Sequence, residues 1–186
     1  MESKDKFLRY YETLINREGS KKLLQYITGP DFFTAPASTK YHGNYGGGLV
    51  DHSINVYERL RKIAPNYSPE TIAIVSLLHD LCKTNFYKID FRNSKQPDGS
   101  WIRVPYYTID DKLPIGNHGD KSVFIIQRFM QLSDEEIVAI RYHMGAFQEG
   151  DIRNFGIVCE KFPLVVLLHI ADLEATYFDD KVVRSI

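Results

Sequence analysis

The chain has 186 residues, the length of a single domain, and folding at this size buries about 70% of the surface the unfolded chain exposes, so no disulfide staple is required. With 44% hydrophobic and 25% charged residues, 12 Gly and 8 Pro, the composition excludes collagen, low-complexity disorder and a coiled-coil rod. The 23 basic and 24 acidic side chains leave a net charge of −1, without the basic excess of a free-standing nucleic-acid binder.

The expected elements run as follows. Residues 4–17 place Phe7, Leu8, Tyr11, Leu14 and Ile15 at helical spacing, and Gly19-Ser20 breaks the pattern. Leu23, Leu24, Tyr26 and Ile27 predict a second short helix, stopped by Gly29-Pro30. Residues 31–48 read as loop and end in Gly46-Gly47-Gly48. A helix follows over Leu49 to Ala64. Ser68-Pro69-Glu70 is a helix start, with Ser as N-cap and Pro in the first turn. The next helix, Thr71 to Lys83, is apolar nearly all round and belongs in the core. Two strands, Phe86 to Phe91 and Trp101 to Tyr107, flank the turn Gln96-Pro97-Asp98-Gly99 and predict a β-hairpin. Helix resumes from His118 to Met130. Ser133 with Glu136 forms a capping box opening a helix that reaches His143. Residues 146–156 read as loop, and a last helix covers Pro163 to Phe178. The expected fold is all-α: one domain over residues 1–186, a helical bundle with a small β-hairpin inserted at 86–107.

No apolar signal core follows the N-terminus, no apolar run approaches the ~20 residues of a membrane helix, and Cys82 and Cys159 form no CxxC pair. These features predict a soluble protein of the reducing cytoplasm, with both thiols packed as small apolar groups and no membrane partner.

The chemistry lies in histidines and carboxylates at special places. His52 stands early in a helix, His79 at the end of a buried one, His118 at a helix start and His143 at a helix end. Asp80 adjoins His79, and Asp172 interrupts an apolar helix, where a carboxylate is costly to bury unless paired or metal-bound. Imidazoles and carboxylates without thiolate suit Mn, Fe, Co, Ni, Zn or Mg. On a helix His79 and Asp80 lie about 100° apart, and Lys83 falls on the same side, placed to offset charge on a transferring phosphoryl group. Each residue alone has a plain structural explanation: a core histidine, a buried ion pair for Asp172, a solvated helix end for Lys83. The metal reading rests on the joint pattern. His169, three residues before Asp172, is expected either behind the ligands or simply in the core; His42, in a Gly/Tyr loop, is expected at the surface. Asp51 and Asp120 are explained by helix-start capping as well as by catalysis.

The ordered segments Gly-Gly-Gly-Leu-Val-Asp-His (46–52), Leu-Leu-His-Asp-Leu-Cys-Lys (77–83), Gly-Asn-His-Gly-Asp-Lys-Ser (116–122), Ile-Arg-Tyr-His-Met-Gly (140–145) and His-Ile-Ala-Asp-Leu-Glu-Ala (169–175) resemble the HD superfamily of metal-dependent phosphohydrolases over residues 46–178. The likeness extends to stand-alone HD hydrolases and to the HD domain of certain bacterial 3′→5′ exoribonucleases, whose separate nucleic-acid-binding domain has no counterpart here. By this resemblance His52, His79, Asp80 and Asp172 hold a divalent metal. His118 and His143 add a second ion, Asp80 bridges the two, and Lys83 matches the lysine that follows the His-Asp pair. The implied reaction is hydrolysis of a phosphoester by a metal-activated water, with Asp80 and Lys83 catalytic and with Lys83, Lys121 and Arg141 as phosphate contacts. Tyr41, Tyr45 and Phe147 are loop aromatics that either stack on a base or simply anchor their loops. The near-neutral charge favours a nucleotide or small phosphoester over long RNA. The alternatives are a 3′→5′ single-strand nuclease and a non-catalytic nucleotide-binding sensor.

Overall fold

The computed structural model describes residues 2–146 and 152–183. Within them eight α-helices surround one apolar core, and a two-stranded hairpin stands apart from the bundle. The helices are α1 (Ser3–Leu14), α2 (Ser20–Thr28), α3 (Gly48–Ile63), α4 (Pro69–Leu78), α5 (His118–Gln127), α6 (Asp134–Arg141), α7 (Ile152–Lys161) and α8 (Pro163–Glu174). Strands β1 (Tyr87–Lys95) and β2 (Trp101–Ile109) pair antiparallel, Tyr87 opposite Ile109 and Lys95 opposite Trp101. This is the all-α bundle with an inserted hairpin that the sequence predicts.

Two helices without a polar face make the centre. In α4 every residue from Ile72 to Leu78 is buried; the helix packs against α1, α3 and α6. The buried stripe of α8 is Leu164, Val165, Leu168, Ala171 and Asp172, the i, i+1, i+4, i+7, i+8 rhythm of one helix face. Asp172 therefore points inward because it continues an apolar stripe. α8 packs against α3, α6 and α7, so the inner faces of α3, α4, α6 and α8 meet around one volume.

Several boundaries depart from expectation, and one matters for the site. The helix predicted to reach Lys83 ends at Leu78: His79 is its C-cap, Asp80 leaves helical geometry (φ −106°, ψ 20°), and Leu81–Lys83 form a separate 3₁₀ turn. α6 likewise ends at Arg141 and leaves His143 in the turn beyond. Residues 152–156, read as loop, open α7; Gly156 lowers helix propensity there but sits in open space. The last helix stops at Glu174 and continues as a π turn over Ala175–Asp179. Both strands run longer than predicted, because the cross-strand ladder carries polar residues that sequence alternation does not reveal.

Two glycines set close approaches. A Cβ on Gly48 would lie 1.9 Å from the Gly43 carbonyl oxygen, which seats the 37–47 loop on the start of α3. A Cβ on Gly119 would lie 2.5 Å from the carbonyl oxygens of Ile140 and Arg141, so only glycine lets the start of α5 meet the end of α6. The first contact carries His42 toward His52, and the second brings His118 to the same side of the bundle as His143.

Candidate metal centre

Five of the six predicted ligands converge on the volume between the helices. The His52 Nε2 atom lies 3.1 Å from His79 Nε2 and 3.1 Å from Asp172 Oδ1, and 3.8 Å from Asp80 Oδ2. His79 Nε2 is 3.5 Å from Asp80 Oδ2, and His143 Nε2 is 3.7 Å from Asp80 Oδ1. All five side chains are buried. His118 joins from the hairpin side, grouped with Asp80 and Cys82, its Nδ1 4.0 Å from Cys82 Sγ. Asp80 thus belongs to two groups of potential ligands, one with His79 and His143 and one with Cys82 and His118.

Local structure fixes which nitrogen each ring presents. His79 and His143 both follow a helix end, and each donates its Nδ1–H to the carbonyl three residues back, Ser76 and Ile140, at 2.7 Å. Their Nε2 lone pairs therefore face the centre. His52 is held differently. Its Nδ1 meets Asp180 Oδ2 at 2.7 Å, and Asp180 Oδ1 accepts from the Asn55 side chain at 2.8 Å. Burial presses the His52 pKa down, but hydrogen bonds to Asp172 and Asp180 outweigh it and lift it to about 10. Burial and the neighbouring His79 push His143 down to about 4, so that ring is neutral. Burial works against ionisation of Asp80, but Lys83 and His79 hold its carboxyl well below the usual range. Asp172 is likewise held low by His52 against its own burial.

Two atoms decide whether this donor set suits a cation. Asp80 Oδ1 and His143 Nε2 are fully buried, and neither has a hydrogen-bond partner. One is an ionised carboxylate oxygen and the other a lone pair, so two acceptors face each other without a proton between them. A buried acceptor left unsatisfied costs about 1–3 kcal/mol; a divalent cation satisfies both at once. The nitrogen and oxygen donors suit a borderline or hard ion. Burial and then Asp80 raise the Cys82 thiol to about 12, which keeps it a neutral, poor ligand. The residues present fit a metal.

A cavity of about 450 Å3 opens over the cluster, lined among others by Asp80, Lys83, Asp172, His42, His169 and Tyr41. The Lys83 ammonium lies 2.6 Å from Asp80 Oδ2 and is buried. Although the helix does not continue to it, the 3₁₀ turn still carries Lys83 back over Asp80. Lys121 pairs with Asp111 and Arg141 with Asp120; neither lines this cavity. Asp120 completes a capping box with Asn117 at the start of α5, and Asp51 accepts the Tyr45 hydroxyl at 2.7 Å, so Tyr45 anchors its loop. Phe147 lies outside the described residues.

His42 corrects the expectation of an exposed loop residue. Its ring lies 4.9 Å from that of His52, and its Nε2 is buried without a partner. His169 donates Nδ1–H to the His143 carbonyl at 2.7 Å, which fixes the turn carrying that candidate ligand. Asp180 went unnoticed in the sequence: nothing beside it in the chain marks it, and its partner is 128 positions away. His42 offered a signal in its place shortly before the Gly-Gly-Gly run; Asp180 offered none.

A helical bundle that gathers buried imidazoles and carboxylates around a basic cavity is the framework of a metal-binding helical domain. The family model for the HD domain matches residues 49–173, and the chain belongs to that family. HD domains bind divalent metals and are typically metal-dependent phosphohydrolases. The match is to the family at large, and the likeness to its exoribonuclease members is not shown by it. No curated protein and no solved structure matches the chain. No helix among the described residues is long and apolar enough to cross a membrane.

Proposed function

We propose that the whole chain is one HD-type domain that hydrolyses a phosphoester of a nucleotide or small phosphorylated substrate. The single observation that carries this reading is the pair of buried, unpartnered acceptors, Asp80 Oδ1 and His143 Nε2, 3.7 Å apart beneath a cavity that also holds a lysine. His52, His79, Asp80 and Asp172 would hold a first divalent ion, and His118 and His143, together with Asp80, would hold a second. A divalent ion there supplies Lewis acidity toward water and toward the phosphoryl oxygens.

The side chains do the rest. Asp80 stays ionised beside Lys83 and His79 and belongs to both ligand groups. Lys83 holds its ammonium at the cavity wall, where it attracts the phosphoryl group and offsets charge that builds on it. Asp180 and the carbonyls of Ser76 and Ile140 fix the ring orientations of His52, His79 and His143, so none of these three has to turn on substrate binding. Tyr41, at the rim, is placed to cover the substrate's far end. Lys121 and Arg141, each held by a carboxylate, act at the margin, ordering the approach to His118. The one continuous core supports a single domain, and the two free thiols suit the reducing cytoplasm.

The test is metal analysis of the purified protein followed by a phosphoester and nucleotide panel with Mn, Co, Ni and Mg. His79→Ala and Asp172→Ala are expected to lose most metal and all measurable turnover. Full activity of a metal-free Asp172→Ala protein would overturn the reading.

A further inference from the structure

The hairpin has two outer edges, and they differ. The Asp110 amide is bonded to the Phe86 carbonyl and the Gln96 amide to the Ser100 carbonyl, both at 2.8 Å. Bonded and non-bonded positions alternate along an antiparallel pair, so the even-numbered residues of β1 turn their backbone groups to β2 and the odd-numbered ones turn theirs outward. The same register sets Pro105 opposite Phe91. Pro105 therefore takes an outward position on β2 and, lacking an N–H, blunts that edge. β1 holds no proline. Residues 88–93 are exposed, Ile89 at 61% and Phe91 at 48%. No backbone bond among the described residues occupies the outward groups of Ile89, Phe91 and Asn93; the Phe91 amide is met by the carboxylate of Asp90 beside it, at 2.7 Å.

An open edge is a template for another strand, and the sequence of this one matches itself. With two copies of β1 antiparallel and Phe91 opposite Phe91, Ile89 faces Asn93, Lys88 faces Ser94, and Asp90 faces Arg92 on both sides of the axis. An axis at Asp90 sets two carboxylates opposite each other and one at Arg92 sets two guanidiniums, and like charges so placed repel. Neither Asp90 nor Arg92 forms an ion pair among the described residues.

We propose that β1 is the contact through which two copies of this chain associate, their hairpins joined in one antiparallel sheet about a two-fold axis at Phe91. Such a contact is self-complementary. The outward amides and carbonyls of Ile89, Phe91 and Asn93 bond to those of the second copy, the Asp90–Arg92 pairs set the register, and the proline edge ends growth at two chains. The proposal depends on the ribbon alone and not on the phosphohydrolase reading.

Sedimentation velocity of the full chain, from micromolar to submillimolar concentration, tests it. The mass is expected to rise with concentration from one chain to two and to stop there. Asp90→Arg and Arg92→Asp each set like charges face to face, and each is expected to weaken the dimer at least about ten-fold. The double variant, which restores both pairs with their signs exchanged, is expected to recover the original affinity within about three-fold. Hydrogen exchange of the unmodified chain checks the edge without a variant: raising the concentration slows the amides of residues 89, 91 and 93 and leaves those of 103 and 107, on the blunted edge, unchanged. A single chain at every concentration overturns the proposal, as does a dimer that neither charge exchange weakens or that the double variant does not restore. A polymer that grows past two chains overturns the closed pair.

Discussion

At the scale of single residues, the centre uses two ways of aiming an imidazole. His79 and His143 each give Nδ1–H to the carbonyl three residues before, a contact any helix end provides. His52 gives its Nδ1 to a carboxylate, and Asp180 in turn is held by Asn55. A carboxylate behind a ligand raises its basicity and fixes its ring, and its loss costs about 10–100-fold in metal affinity. Asp180→Asn is therefore expected to keep its fold and to bind metal about 10–100-fold more weakly, measured by competition with a chelator of known affinity; unchanged affinity would mean that packing alone aims the ring. The six candidate ligands were legible in the sequence because each is a polar residue where an apolar helix or a helix boundary makes it conspicuous. Asp180 was not, since nothing local distinguishes a carboxylate that caps a histidine from one that faces water.

Among the helices, Glu136 joins three elements, and two of them carry the site at their far ends. Its carboxylate accepts from Arg17 at 2.5 and 2.9 Å, from the Ser133 amide at 2.9 Å and from the Thr71 hydroxyl at 3.0 Å. It thereby ties the α1–α2 turn to the first turns of α4 and α6, and those two helices end next to His79 and His143. Burial pushes the Glu136 carboxyl up, but Arg17, Ser133 and Thr71 outweigh it and leave the pKa below its ordinary value. A group with a lowered folded-state pKa contributes stability that is present above its unfolded value, about 4.3, and is lost as pH falls through the folded one. Glu136→Gln is expected to cost about 1–3 kcal/mol at pH 7, with the gap to the unmodified protein narrowing below about pH 4. Urea denaturation at pH 7 and pH 3.5 measures it, and a gap that does not change with pH would assign the loss to packing. The capping box itself was plain in the sequence. The end of α4 was not, because no Gly or Pro follows His79; the chain turns there with Asp80 facing His79 and Lys83, contacts that helix propensity does not encode.

Across the whole molecule, the bundle and the hairpin are separable. The hairpin strands contact each other far more than the helices; Tyr87 ties the base of the ribbon through its hydroxyl to the Ala37 carbonyl at 3.1 Å. Replacing residues 88–108 by a Gly-Gly turn between the paired Tyr87 and Ile109 is expected to leave the melting temperature within a few degrees and the bound metal unchanged; metal analysis and thermal melts check this, and a collapse of the fold would show the ribbon to be part of the core. The fold class was legible because helical periodicity is strong in α1, α3, α4 and α8. The placement of the hairpin beside the site was not, since it depends on where a 30-residue excursion, roughly, leaves and rejoins the bundle. The contact between His52 and Asp180 has a consequence for synthesis. It spans 128 positions, and the Gly43 amide is likewise bonded to the Lys181 carbonyl at 2.8 Å. On a ribosome, the early helices can collapse long before those residues emerge. Assembly of the complete donor set then waits until residues 172–181 have emerged, and a nascent chain that stops short of them reaches a compact shape with His52 still lacking its carboxylate partners.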